Sequence, residues 1–198
     1  PGTGDEDDVV LHENSRSLNW NYTDLGIDGD EPLAFTRTYH SLEATNDNGM
    51  GYGWADSYNY YLKDLRNDIL VTLPTGGTLD FKLTRDGSYK VDDGNEYTLY
   101  EYSNGYKLTD ESGMVVIFKK YGYEGRAIRI TDSEGKTTRI TYNGNKLDTV
   151  SNESGEFTFT YSGDYISSIT DSGGRTVRYT YADGNLTSFL ATRGRTKE

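Results

Sequence analysis

A unit of about twenty residues recurs in the second half of the chain, and it restricts the fold more than any other feature. One copy opens with Asp132-Ser133-Glu134-Gly135, alternates to Tyr142 and continues through Asn143-Gly144-Asn145-Lys146-Leu147. The next opens with Asn152-Glu153-Ser154-Gly155, reaches Tyr161 and passes Ser162-Gly163-Asp164. The third opens with Asp171-Ser172-Gly173-Gly174, reaches Tyr181 and passes Ala182-Asp183-Gly184-Asn185-Leu186. A looser copy runs from Asp110-Glu111-Ser112-Gly113 to Tyr121. Each opening group reads as a turn, in which Asp or Asn bonds nearby backbone and Gly closes the loop. Between turn and Tyr the apolar residues fall at every second position, as in Phe157, Phe159 and Tyr161 or Val177, Tyr179 and Tyr181. That period means a strand with one buried face. The Gly-containing pair after each Tyr is a hairpin signal. A second strand follows, carrying Leu147 and Val150, then Ile166 and Ile169, then Leu186 and Phe189.

One repeat is therefore one hairpin. A lone hairpin is marginal in water, so each must add to the next. The expected fold is all-β: antiparallel β-hairpins forming a continuous, curved or coiling sheet, with little or no helix. Composition agrees, because 18 Tyr and 23 Gly among 198 residues suit short half-buried strands and tight turns. Residues 9–107 are also strand-rich but not repetitive. Alternation marks Leu18/Trp20/Tyr22, Leu33/Phe35/Tyr39, Tyr58/Tyr60/Leu62, Ile69/Val71/Leu73 and Leu79/Phe81/Leu83, and the Asn- and Gly-rich stretch 41–57 reads as a loop. The expected organisation is an acidic tail or linker at 1–8, a β-rich N-terminal domain at 9–107 and hairpin repeats at 108–198. The repeat units fall at about 108–130, 130–150, 150–169 and 169–190, with a partial unit at 191–198. Thr192-Arg193-Gly194-Arg195-Thr196 restarts the pattern of Ser172-Gly173-Gly174-Arg175-Thr176, so the chain reads as a piece of a longer protein.

The net charge of −12 is carried by residues 1–100, while the second half is balanced. An acidic surface repels phosphate backbones and anionic lipid, which argues against nucleic acid as a partner. No apolar run reaches transmembrane length, so membrane insertion through a helix is not expected. The absence of Cys excludes disulfides, thiolate metal sites and cysteine nucleophiles.

Two segments carry a resemblance. Pro32-Leu33-Ala34-Phe35-Thr36-Arg37-Thr38-Tyr39-His40-Ser41 is followed by Gly49-Met50-Gly51-Tyr52-Gly53-Trp54. This order resembles the N-terminal domain that precedes the repeats in bacterial Rhs and wall-associated YD-repeat proteins, and the downstream hairpins resemble YD repeats. The Asp of Tyr-Asp is absent, with Asn143, Ser162 and Ala182 in its place. The resemblance implies a structural motif set of Arg37, Tyr39, Gly51, Gly53, Trp54, Gly135, Tyr142, Gly155, Tyr161, Gly174 and Tyr181. It also implies a secreted or cell-surface bacterial protein whose hairpins help build a β-shell around a C-terminal toxin or effector. The expected partners are then further repeats and a cargo domain of the same polypeptide, and no catalytic residue of this stretch is implied.

The remaining candidates weigh against that scaffold reading. Arg37 lies on the apolar face of its strand, so it should pair with a carboxylate or stack on an aromatic ring. Trp20, Trp54, Tyr58 and Tyr60 could stack sugars, making an adhesion or cell-wall glycan-binding module the alternative function; alternation instead favours the core for most aromatics. His12 and His40 stand in no metal or nucleophile motif. Asn46-Asp47-Asn48-Gly49 and Asp28-Gly29-Asp30-Glu31 could offer oxygens to calcium but complete no calcium loop, and no other cofactor is expected. A glycoside hydrolase would need two converging carboxylates, which spacing alone does not locate.

Overall fold

The structure is a computed structural model and describes residues 9–12, 17–41, 48–91 and 97–192. The acidic tail at 1–8, Asn46 and Asp47, and the end of the partial repeat at 193–198 lie outside the described residues. The pairings between described strands are antiparallel, as the alternation requires. The chain forms two compact units: Pro1–Ser57 with Ser154–Glu198, and Tyr58–Glu153. The sequence division at 107 thus falls inside the second unit.

In the first unit β1 (Val9–His12), β2 (Ser17–Ile27), β3 (Leu33–His40) and β4 (Trp54–Asp56) form one sheet in that order. The stretch 41–57 is therefore not all loop. The short β4 aligns Trp54 with Tyr39 and Asp56 with Arg37. Alternation along β3 buries Leu33, Phe35 and Arg37 on one face.

Among its described residues the second unit contains ten strands: β5 (Tyr61–Asp64), β6 (Asp68–Thr72), β7 (Thr78–Leu83), β8 (Tyr89–Val91), β9 (Thr98–Tyr102), β10 (Gly105–Thr109), β11 (Val115–Tyr121), β12 (Glu124–Thr131), β13 (Thr137–Asn143) and β14 (Lys146–Asn152). Strands β5 to β12 pair each with the next, and β12 returns to β5, closing an eight-strand barrel. Leu62, Ile69, Phe81, Leu99 and Val116 point into its interior and are fully buried, as expected for a barrel of this size. The strand anticipated from Tyr58 begins only at Tyr61, because Tyr60 N–H turns back to the Tyr58 carbonyl at 2.8 Å.

Closure of the barrel is a feature of this unit that no local pattern foretells. It depends on β12, which divides its length between two partners. Glu124, Gly125 and Arg126 pair with β5, whereas Arg129, Ile130 and Thr131 pair with β13. A bulge opposite Ile117 and Phe118 separates the two halves. Such an extra residue bends and twists a strand, which lets one strand leave one partner for another. The looser repeat copy at 108–130 is therefore barrel wall.

Back in the first unit, β15 (Gly155–Ser162), β16 (Tyr165–Asp171), β17 (Thr176–Ala182) and β18 (Asn185–Thr192) are two consecutive hairpins joined edge to edge. Each repeat hairpin carries a bulge at the same place, opposite the Thr-Tyr pair: at Asp148, Ser167 and Thr187. This explains a spacing that does not fit a regular strand. Leu147 and Val150, like Ile166 and Ile169, are three residues apart, yet all four are buried. The extra residue restores both members of each pair to the inner face.

Candidate functional site

The first unit fastens its four-stranded sheet onto its two hairpins through a buried charged cluster. Arg37 on β3 is 2% exposed, and its carboxylate partner Asp24 on β2 is fully buried. The guanidinium Nε donates to Asp24 Oδ2 at 2.5 Å and Nη2 donates to Oδ1 at 2.8 Å, a two-pronged pairing. Its remaining surface faces four aromatic rings, with centroids at 5.2 Å for Tyr22, 4.8 Å for Trp54, 5.5 Å for Tyr179 and 4.6 Å for Phe189. The Tyr179 hydroxyl on β17 donates to Asp24 Oδ2 at 2.5 Å, joining hairpin to sheet. Burial, then the Asp24 charge it faces, pushes the Tyr179 hydroxyl far above the usual tyrosine value. Beside the cluster Phe35 packs against Phe159 with centroids 5.5 Å apart.

Arg37, whose place on an apolar face calls for a carboxylate or a ring, meets both. Asp24 is a member of the cluster that the sequence does not single out. A signal is present, because Asp24 continues the Trp20/Tyr22 alternation and puts an acid on an apolar face. A bulge between Thr23 and Leu25 then lets Leu25 pair with Phe35.

Two further ties join the sheet to the hairpins. The loop before β4 lies on the hairpin turns: Ile166 N–H donates to the Gly49 carbonyl at 2.9 Å, and Tyr52 N–H donates to the Gly184 carbonyl at 2.9 Å. At Gly51, φ is +86°, and an added Cβ would lie 2.9 Å from both the Gly184 carbonyl oxygen and the Leu186 nitrogen. A side chain does not fit there, and the angle is one that glycine adopts most readily. Gly53 also takes a positive φ of 78°. The second tie comes from the third turn, where Arg175 donates to Asp171 Oδ2 at 2.5 Å and to the Gly26 carbonyl on β2.

The three repeat glycines differ in role. Gly135 and Gly174 close their turns with φ of 88° and 83°, while Asp132 and Asp171 accept from the amides that follow. Gly155 has no such angle. It stands at the start of β15, where a Cβ would lie 2.8 Å from Ile27 Cδ1. The same letter in the repeat therefore serves conformation twice and clearance once.

The repeat tyrosines stitch neighbouring strands. Tyr142 donates to the Ala127 carbonyl at 3.0 Å, and Tyr181 donates to the Ile166 carbonyl at 2.8 Å, each across the same interval of 15 residues. Tyr161 is half-buried at the matching position on β15. Tyr181 also stacks on Tyr165, with centroids 4.7 Å apart.

The aromatic residues considered for sugar stacking are placed as follows. Trp54 is half-buried between Arg37 and Tyr39. Trp20 is 39% exposed and pairs across strands with Tyr39. Tyr58 is buried and Tyr60 half-buried, the latter with its hydroxyl pushed up to about 12 chiefly by burial. His40 is buried, its Nδ1 3.1 Å from Asn19 Oδ1, and His12 lies on β1. Asp28 and Asp30 are exposed in the turn before β3, where the Glu31 amide donates to Ser154 Oγ. Among the described residues no group of three or more His, Asp or Glu is gathered for a metal ion.

In the second unit a partly buried ion pair stands at the barrel wall. Asp64 accepts from Lys120, from the Tyr106 hydroxyl at 3.0 Å and from the Arg66 amide at 2.8 Å. Burial pushes the Asp64 carboxyl up, but these hydrogen bonds outweigh it and leave it below the usual carboxylate range.

Residues 17–81 match a protein family described as a domain of unknown function (DUF6531). The match covers β2 to β6 and the first part of β7, including Arg37, Asp24 and the loop before β4. No curated protein matches the chain.

Proposed function

We propose that this chain is a non-catalytic scaffold segment of a secreted or cell-surface protein of the Rhs/YD-repeat type. Its four-stranded sheet fixes the position of the hairpins β15–β16 and β17–β18, further hairpins add to the last one, and the wall so built encloses a C-terminal cargo. The observation that carries this reading is the repeated Tyr-to-carbonyl bond at a constant interval of 15 residues. A bond that recurs at fixed spacing joins units in series, and it can extend without redesign. Among the described residues β18 pairs with β17 alone, and such a strand edge can accept another strand. The charged cluster supports the non-catalytic part, because both donors that Arg37 directs at Asp24 are committed and rings flank the guanidinium.

The test is limited proteolysis of the polypeptide in its native reading frame. A downstream domain resistant to protease until the hairpins unfold supports the scaffold. A downstream domain as accessible as the same domain in isolation overturns enclosure.

A further inference from the structure

The outer face of the barrel unit carries cations that form no ion pair among the described residues. Pairing register places Tyr100, Lys107, Ile117, Arg129, Arg139 and Ser151 in one row across β9 to β14. The next row holds Tyr102, Gly105, Lys119 and Arg126. No carboxylate stands in either row. Among the described residues Lys107, Lys119, Arg129 and Arg139 form no ion pair. Arg126 reaches the Asn145 carbonyl instead, at 2.6 Å. The tyrosines stand 52% and 47% exposed at Tyr100 and Tyr102, and Tyr121 lies under Lys119 at 5.3 Å.

This arrangement is unusual in a protein of net charge −12. Arg129 and Arg139 are direct cross-strand partners, and like charges so placed oppose each other. A bound carboxylate between them would relieve that opposition and could accept from a guanidinium in two-pronged fashion. Exposed Tyr and Arg around a buried aliphatic residue, here Ile117, are the composition of a protein-binding patch. The protein's overall negative field disfavours a polyphosphate, whose charge is dense and continuous, more than a peptide bearing a few acids.

We infer that this face docks an acidic polypeptide segment, with Arg129 and Arg139 as its central contacts and Lys107 and Lys119 flanking them. The inference stands apart from the scaffold reading, which rests on the Tyr-to-carbonyl bonds and not on these charged side chains.

The experiment titrates the full chain with a fluorescein-labelled peptide of alternating Glu and Ser, beside a neutral peptide of equal length, a single-stranded oligonucleotide and a sulfated glycan. The expected result is saturable binding of the acidic peptide that weakens about tenfold or more in Arg129→Glu/Arg139→Glu and fades as salt is raised. The control Lys90→Glu lies outside both rows and keeps full binding. Thermal melting by circular dichroism verifies that each variant is folded, and Arg129→Ser/Arg139→Ser repeats the test with no new charge. Absence of saturable peptide binding, binding unchanged by either double variant, or tighter binding of the oligonucleotide or the glycan overturns the inference.

Discussion

The two units solve the problem of loose strand edges differently. The barrel removes the edges of its eight strands by returning β12 to β5, and its interior is apolar at Leu62, Ile69, Phe81 and Leu99. The hairpin unit keeps an open sheet and places a second sheet across it, with a buried ion pair at the contact. A closed sheet specifies its own register, because every strand is fixed by two neighbours. An open row of similar hairpins does not, since one repeat resembles the next. A buried charge pair that must meet one particular tyrosine discriminates among them. That is the use for which buried polar groups are best attested.

The comparison breaks first at Arg37. Arg37→Ala leaves the Asp24 carboxylate buried and unpaired, at an expected cost of about 3–5 kcal/mol. Both tryptophans, Trp20 and Trp54, lie in the hairpin unit, so their fluorescence during urea unfolding should report this loss. Hydrogen exchange in the barrel strands should stay unchanged. The triple change Arg37→Met/Asp24→Leu/Tyr179→Phe removes the charges together and should recover most of the stability.

A smaller effect separates clearance from conformation. Gly51→Ala meets backbone atoms at 2.9 Å as well as an unfavourable φ, so about 2–3 kcal/mol is expected from strain and displacement. Gly135→Ala faces no atom within 4 Å and should cost only the angle, about 1–2 kcal/mol. Denaturation midpoints of the two variants give the ranking.

The stitching tyrosines come next. Tyr181→Phe and Tyr142→Phe each remove one hydroxyl bond and should cost about 0.5–1.5 kcal/mol. Similar losses in both units would show that the stitch is the same device in each. A loss at one position alone would confine it to that unit.

The smallest effect is in acid. The carboxyl of Asp64 is lowered from its ordinary value of 3.8, so its contribution is complete above that value. It is lost as pH falls through the folded-state value, because the unfolded chain takes up the proton first. Lys120 is 36% exposed, which keeps the effect modest. Barrel protection factors, which correct for the slower intrinsic exchange in acid, should therefore fall as pH drops below about 4, and Asp64→Asn should flatten that dependence.

The hairpins are legible in the sequence because their signals are local. Alternation, Asp-x-x-Gly turns and Gly pairs act within a few residues, and the structure places hairpins at β13–β14, β15–β16 and β17–β18. The turns even differ as their sequences do. Gly144 alone takes a positive φ of 63°, whereas Asp183 and Gly184 both do, at 51° and 79°. Barrel closure is not legible, because the β12 to β5 pairing joins residues about sixty apart and no local pattern encodes it. The bulges are half-legible: the three-residue step from Leu147 to Val150 shows that a strand cannot be regular, but not where the extra residue goes. In the charged cluster, Arg37 betrays itself by interrupting an apolar face. Tyr179 does not, because a tyrosine on a buried face looks the same whether or not its hydroxyl has an acid to meet.

The most direct measurement extends the chain by one hairpin of the repeat pattern, with a tyrosine fifteen residues after Leu186, and follows amide exchange along β18. Serial addition predicts that the β18 amides facing the open edge become protected, and that changing the new tyrosine to Phe reduces this protection. Exchange along β18 that is equally fast with and without the added hairpin would contradict it.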